Sequence, residues 1–231
     1  MTNSNDDAQA DLLIQEVDED LRQEQMVKLW KQYANLFIGV AVAAVLAVAG
    51  WQAWNGWQRQ QKQDSARRYS EAVDLIAAKK TTDAMTALDA LAGSGTQGYR
   101  VLADLKRAEV RVAQGDGAAA AAILDSVAGS SADPLIKDLA RLKSAYLQLD
   151  NKEPAVVEAI AAPLSAESSP WRFSAREILA MCALKRGDAA RAREMLGHLA
   201  DDPAAPQGLR ARDAELLASI PVSGPDSESK P

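Results

Sequence analysis

No charged residue lies between Lys31 and Arg59. That gap constrains the chain more than any other feature, because a helix folded in water seldom runs so far without a charge. Its centre, "LFIGVAVAAVLAVAGW" from Leu36 to Trp51, is almost uninterrupted apolar sequence. A helix rises about 1.5 Å per residue, so roughly 20 residues cross the hydrocarbon core of a bilayer. Aromatic residues flank the stretch, Trp30 and Tyr33 on one side and Trp51, Trp54 and Trp57 on the other. Trp30 to Trp51 is 21 steps (51 − 30). That is roughly 31 Å of helix, close to the separation of the two interfaces where tryptophan rings settle. These five residues are the expected membrane-interface anchors, and residues 32–58 the expected transmembrane helix. A cleaved signal peptide would have a short charged leader and a small-residue cleavage site. Here the polar residues 1–31 come first and bulky tryptophans follow.

Gly39, Ala43 and Ala47 fall four apart on one helix face. Small residues at that spacing allow two membrane helices to approach closely, so the three form a candidate packing face; an alanine-rich span also produces such a match by chance. Orientation is not settled by charge. Arg22, Lys28 and Lys31 precede the span, and Arg59, Lys62, Arg67 and Arg68 follow it. The count slightly favours a cytoplasmic C-terminal part, but a long following domain weakens the rule.

The leader, residues 1–31, is polar and acidic. Its "QADLLIQEVDEDLRQEQMVKLWKQY" is helical in composition, and Met1 to Ala10 is expected to lack regular structure. Leu13, Val17 and Leu21, with Ile14, make a narrow apolar stripe flanked by Glu16, Asp18, Glu19 and Asp20. Anionic lipid repels such a surface. The leader is expected to be solvated and partly helical, with a partner-docking helix as the alternative.

Beyond Arg59 the chain repeats. Turn signals at Lys79-Lys80, Gly115-Asp116, Asn151-Lys152 and Gly187-Asp188 recur every 36 residues. Such a period, with a helix on each side of the turn, indicates a helical-hairpin solenoid. Two units are clearest, "GYRVLADLKRAEVRVAQGDGAAAAAILDSVAG" and "PWRFSAREILAMCALKRGDAARAREMLGHLADDP". Each places alanine seven before the turn glycine (Ala108 before Gly115, Ala180 before Gly187). Each places alanine five after it (Ala120, Ala192) and then leucine (Leu124, Leu196). Where two helices cross closely only a small side chain fits, and larger ones fill the gaps beside it. These residues are the expected repeat packing positions, and the pattern resembles the tetratricopeptide repeat. The third unit, "LARLKSAYLQLDNKEPAVVEAIAAPL", departs most from it.

Asp133-Pro134 and Ser169-Pro170 each put a capping residue before proline at a helix start, and Glu153-Pro154 is a weaker version. Gly93 and Gly129 are expected to close helices. Helices are predicted at 66–78, 83–92, 98–114, 117–128, 134–149, 154–163, 170–186, 188–200 and 206–219. The fold class is therefore all-α: one transmembrane helix, about four degenerate hairpins over 59–220 with a capping helix, and a disordered tail at 221–231. With no breaker after Gly56, the anchor helix is free to run on into the first repeat.

Nothing in the sequence assembles a reaction centre. His198 stands alone, and Cys182 sits among apolar neighbours as a small buried hydrophobe. HExxH, CxxC, GxSxG and Walker patterns are missing. "GSGTQG" (Gly93 to Gly98) follows a helix and lacks the lysine of a phosphate loop. No cofactor, metal or small-molecule substrate is expected, and the chain is read as not an enzyme. A net charge of −6 argues against a general nucleic-acid binder. The basic strings "SARRYS" and "LKRAEVR" are mixed with acids and read first as solvated faces, with a groove for acidic segments as the alternative.

Three strings together, the leader "EVDEDLRQEQMVKLWKQY", the join "QDSARRYSEAV" and the unit "PWRFSAREILAMCALKRGDAARA", resemble the YfgM-type ancillary subunits of the SecYEG translocon. This resemblance implies a bacterial inner-membrane protein with a cytoplasmic N-terminus and a periplasmic repeat domain. It implies association with translocon subunits and periplasmic chaperones, as a membrane-anchored, protein-binding scaffold. The alternative is a cytoplasm-facing adaptor or regulator whose repeats bind a signalling protein.

Overall fold

The computed structural model describes residues 4–221, with side chains continuous from Ile38 and, before it, those of Trp30, Tyr33, Asn35 and Leu36. Among these residues the structure is all-helical. Helix α1 (Ser4–Ala77) is followed by α2 (Thr81–Ser94), α3 (Gln97–Ala113), α4 (Gly117–Gly129) and α5 (Pro134–Gln148). Then come α6 (Pro154–Ala161) with a 3₁₀ turn at Ala162–Ser165, α7 (Arg172–Lys185), α8 (Ala189–Asp201) and α9 (Gln207–Ser219). The chain divides into two compact units, Met1–Gln60 and Gln61–Pro231.

In the first unit, α1 begins at Ser4, whereas the sequence reading left the first ten residues irregular. No proline interrupts residues 4–60, and the glycines at 39, 50 and 56 stand singly, so nothing breaks the helix. The leader's apolar stripe at Leu13, Ile14, Val17 and Leu21 lies on side chains outside those described. The described part of the apolar span is fully exposed: Leu36, Ile38, Val45 and Leu46 each show 60% or more of their surface. Among the described residues one helix, over Ile38–Ala77, is long and apolar enough to cross a membrane, and none of its apolar window is buried.

In the second unit, the helices pair in sequence: the end of α1 with α2, α3 with α4, α5 with α6, and α7 with α8, while α9 packs on α8. Each hairpin packs a core of aliphatic side chains set around alanine, and each core is completed by buried residues of the next part of the chain. The small residue at the helix crossing recurs at Ala72, Ala108, Ser144 and Ala180, 36 apart and all buried. Following the turn, Ala84, Leu88 and Leu91 are matched by Ala120, Leu124 and Val127 and by Ala192, Leu196 and Leu199, all buried.

Three of the four turns close alike. Lys79, Gly115 and Gly187 take left-handed backbone at φ 59°, 81° and 81°. The next amide, of Lys80, Asp116 or Asp188, donates 2.9 Å to the carbonyl five residues back, satisfying a helix-end acceptor. Asp116 and Asp188 then accept from Ala119 and Arg191 to start the second helix. The third turn lacks a left-handed residue, and Asn151 and Lys152 both donate to Gln148 instead. One more residue is consumed there. The buried set becomes Val157, Ala161 and Leu164, one step late, and Val156 is left exposed. The departure of the third unit is thus a register slip.

Two expected boundaries move. Asp133 accepts from Leu135 as expected, but α7 starts at Arg172 and not at Pro170. Ser169 caps a preceding turn instead, accepting from Trp171. Gly93 lies inside α2, and Gly95 ends it; a Cβ there would sit 2.7 Å from the Leu91 carbonyl. Gly129 is the last residue of α4. The predicted tail lies outside the described residues from Val222 on.

Candidate functional site

Helices α3 and α5 both pack closely on α4 and hardly on each other. A cleft of about 300 Å³ opens between them. Leu105, Ala108, Glu109 and Val112 of α3 form one wall, Lys143, Tyr146 and Leu147 of α5 the other, and Leu124 of α4 the floor. The spacing places these residues there. Positions 105, 108, 109 and 112 share one helical face, as do 143, 146 and 147. Ala108 is small because α4 crosses beneath it, and that smallness leaves space above.

Charge is confined to the mouth of the cleft. Lys106 donates to Glu109 at 2.6 Å, and Lys143 of the opposite wall reaches the other carboxylate oxygen at 3.5 Å. Burial pushes the Glu109 carboxyl up, but the two lysines outweigh it and hold it below the usual range. The hydrogen bond to Glu109 in turn raises the Lys106 ammonium. Geometrically this is a small apolar slot with a carboxylate clasped between two ammonium groups at its lip. It is suited to receiving a side chain, and it places no nucleophile beside a base.

Behind the cleft lies a polar chain centred on a buried carboxylate. The Tyr146 hydroxyl donates to Glu177 of α7, which is wholly buried. Arg212 of α9 clasps the same carboxylate through two bonds, 2.5 and 2.7 Å. Burial, then the bond to Glu177, raises the Tyr146 phenol above its ordinary value. That same bond raises the Arg212 guanidinium. Asp213 is also wholly buried, and neither of its oxygens has a hydrogen-bond partner among the described residues. Burial first, then Glu177, pushes its carboxyl up to about 7. Breaking one partner out of such a buried set is costly, because the other charge is left stranded.

Of the residues singled out in the sequence, Ala108 and Leu124 line the cleft. Ala120 is buried beneath it in the same core, and Gly115 is the exposed turn residue of that hairpin. Ala180, Ala192 and Leu196 belong to the separate core of α7 and α8, with Gly187 at their turn. Trp30, Tyr33, Trp51, Trp54 and Trp57 are all exposed on α1, and the Trp54 and Trp57 rings lie 5.4 Å apart. Gly39, Ala43 and Ala47 are exposed as well. His198 is exposed and Cys182 is a buried free thiol whose pKa burial raises. Sequence reasoning singled out Glu109 only within the mixed string "LKRAEVR", and missed Lys143, Tyr146, Glu177, Arg212 and Asp213. One signal was available: Glu177 and Asp213 stand 36 apart, so the repeat itself superposes them.

The family described as tetratricopeptide repeat-like domain matches residues 28–198. The chain belongs to that family. The match starts ahead of the charge-free span, so it takes in the apolar helix together with the repeats. No curated protein and no solved structure matches the chain. The tetratricopeptide repeat-like fold is typically a non-catalytic protein-binding one, and the α3–α5 cleft lies within the matched region.

Proposed function

We propose that the protein is a membrane-anchored, non-enzymatic scaffold that holds protein partners against its repeat domain, and that it serves as an ancillary subunit of the Sec translocon. One observation carries the scaffold reading: a tetratricopeptide repeat-like chain combines an exposed apolar helix with an open apolar cleft. Residues 32–58 span the membrane, 59–220 form the binding domain, and the five aromatics sit at the two interfaces. Gly39, Ala43 and Ala47 form the face on which another membrane helix packs. Tethering raises the local concentration of weakly held partners, so no tight site is required. The translocon and chaperone assignment rests on the resemblance of the leader, join and fourth repeat unit to YfgM-type subunits, with the repeat domain periplasmic.

Mild crosslinking of the full chain in membranes tests this. Channel subunits and periplasmic chaperones are expected among the products, and fewer chaperones with Val112→Asp in the cleft. Recovery of unrelated proteins alone, in equal amount from both chains, refutes it. The cluster Arg59, Lys62, Arg67 and Arg68 favours a second reading, a cytoplasmic adaptor for a signalling protein. Alkaline phosphatase fused after Pro231 separates the two: activity places the domain outside, inactivity inside.

A further inference from the structure

The two helix rows of the solenoid carry opposite charge. Helices α3, α5 and α7 hold ten Lys and Arg against four Asp and Glu, a net of +6 (10 − 4). Their partners α4, α6 and α8 hold two against four, a net of −2 (2 − 4). Thus an acidic chain presents one basic row, and the cleft opens between two helices of that row. Its lining is apolar apart from Glu109, Lys143 and the Tyr146 hydroxyl. Leu102 and Val112, large apolar residues exposed by 41% and 45%, continue the stripe of Leu105 and Glu109 along α3.

Glu109 is the informative residue. It belongs to α3, yet its carboxylate bridges Lys106 of its own helix and Lys143 of the opposite wall. It occupies the place at the lip that a visiting carboxylate would take. We propose that the cleft docks an acidic segment of a partner protein. One apolar side chain enters the slot lined by Leu105, Val112 and Leu147, and an adjacent carboxylate displaces Glu109 from the two lysines. The proposal rests on the scaffold reading and adds the chemistry of the partner. An anionic lipid surface would meet the same cations but has no single side chain to seat in a slot of about 300 Å³. A segment rich in Asp and Glu with an isolated Leu or Phe satisfies both features.

Fluorescence polarisation with the full chain in zwitterionic nanodiscs provides the test. The probes are labelled peptides of Asp, Glu and Ser with one central Leu, the same peptide with Ser for Leu, and a Lys and Ser peptide with the Leu. The acidic Leu peptide is expected to bind, to weaken with salt, and to lose affinity without its Leu. Glu109→Gln frees both lysines and is expected to tighten binding about two- to fivefold, the range that a surface ion pair supplies. Lys143→Glu is expected to weaken it. Both sites are partly exposed at the side chain, 47% and 43%, so the variants keep the core intact. Failure of the acidic peptide to bind, or no tightening with Glu109→Gln, overturns the proposal. So does displacement of the bound peptide by phosphatidylglycerol vesicles through the same lysines. If the basic peptide binds instead and Val112→Asp abolishes it, the partner chemistry falls while the scaffold reading stands.

Discussion

Asp213 makes the stability of the repeat domain depend on pH in an unusual direction. As a carboxylate it is buried without a donor among the described residues; protonated, it is able to donate to the neighbouring Glu177. Burial, then Glu177, raises its pKa from 3.8 to about 7, and Arg212 offsets only part of that. Between those values the folded chain keeps a proton that the unfolded chain has released. Stability therefore falls as pH rises from about 4 to about 7 and levels off above it, the reverse of a salt-bridged aspartate. At about 1.4 kcal/mol per unit, the two units between pH 5 and pH 7 amount to a ceiling on the order of 3 kcal/mol. As the last helix of the stack, α9 packs only against α7 and α8, so it bears the penalty and opens first. Asp213→Asn keeps the shape and the donor but cannot ionise. Thermal melts of the full chain in detergent, followed by far-UV circular dichroism at pH 5 and pH 8, compare the two chains. The variant's advantage over the unsubstituted chain is expected to grow by roughly 5–10 °C across that interval. A gap that stays constant or narrows as pH rises refutes the reasoning.

Other substitutions probe other parts of the argument. Lys79 pays for left-handed backbone that Gly115 and Gly187 adopt freely, so Lys79→Gly is expected to stabilise by about 0.5–1 kcal/mol in urea denaturation, and Gly115→Ala to destabilise by about 1 kcal/mol. Leu124→Ala removes the cleft floor and a core leucine together, and is expected to cost roughly 2–4 kcal/mol in the same assay. Replacing Gly39, Ala43 and Ala47 by leucine is expected to reduce co-purification with a membrane partner while leaving the melting of the repeat domain unchanged.

Periodicity made the fold legible. The 36-residue spacing of turns and of small residues at 108 and 180 implied paired helices, and the structure extends that rule to Ala72 and Ser144. It was less informative about the third unit, because the sequence carries a turn at Asn151-Lys152 but does not announce that its backbone avoids the left-handed region. That local choice shifts every later core position of α6 by one. Capping rules located Asp133 correctly and misplaced the α7 start, since Ser169-Pro170 serves a turn equally well. The cleft was hidden for a different reason. It depends on α3 and α5 packing on α4 and hardly on each other, and on Glu109 meeting Lys143 across 34 positions. Neither shows in a one-dimensional pattern.

The same comparison explains where along the solenoid binding is favoured. Helices α5, α7 and α9 are joined through Tyr146 and Arg212, both bonded to the wholly buried Glu177, which loses a partner if the helices part. Between α3 and α5 the polar ties are the 3.5 Å contact of Lys143 with Glu109 and, from α3 to the loop before α5, the bonds of Gln97 to Ser131, all exposed; the two helices also share the apolar core over α4. Exposed pairs contribute little and reorganise at little cost, whereas a buried charge network resists separation. Tyr146 stands at the junction, with its ring facing the cleft and its hydroxyl committed to Glu177. One wall of the cleft is therefore fixed to a stiff C-terminal block, the other rests on α4, and the ion pair between the two walls is one that a ligand is able to replace. Tyr146→Phe separates the two contributions. It keeps the ring and removes one donor to Glu177, so binding in the cleft should persist while amide exchange protection of α9 falls by about 1–3 kcal/mol, the worth of a hydrogen bond to a charged group. Loss of binding with α9 protection intact would place Tyr146's importance in the ligand contact and contradict the stiff-block account.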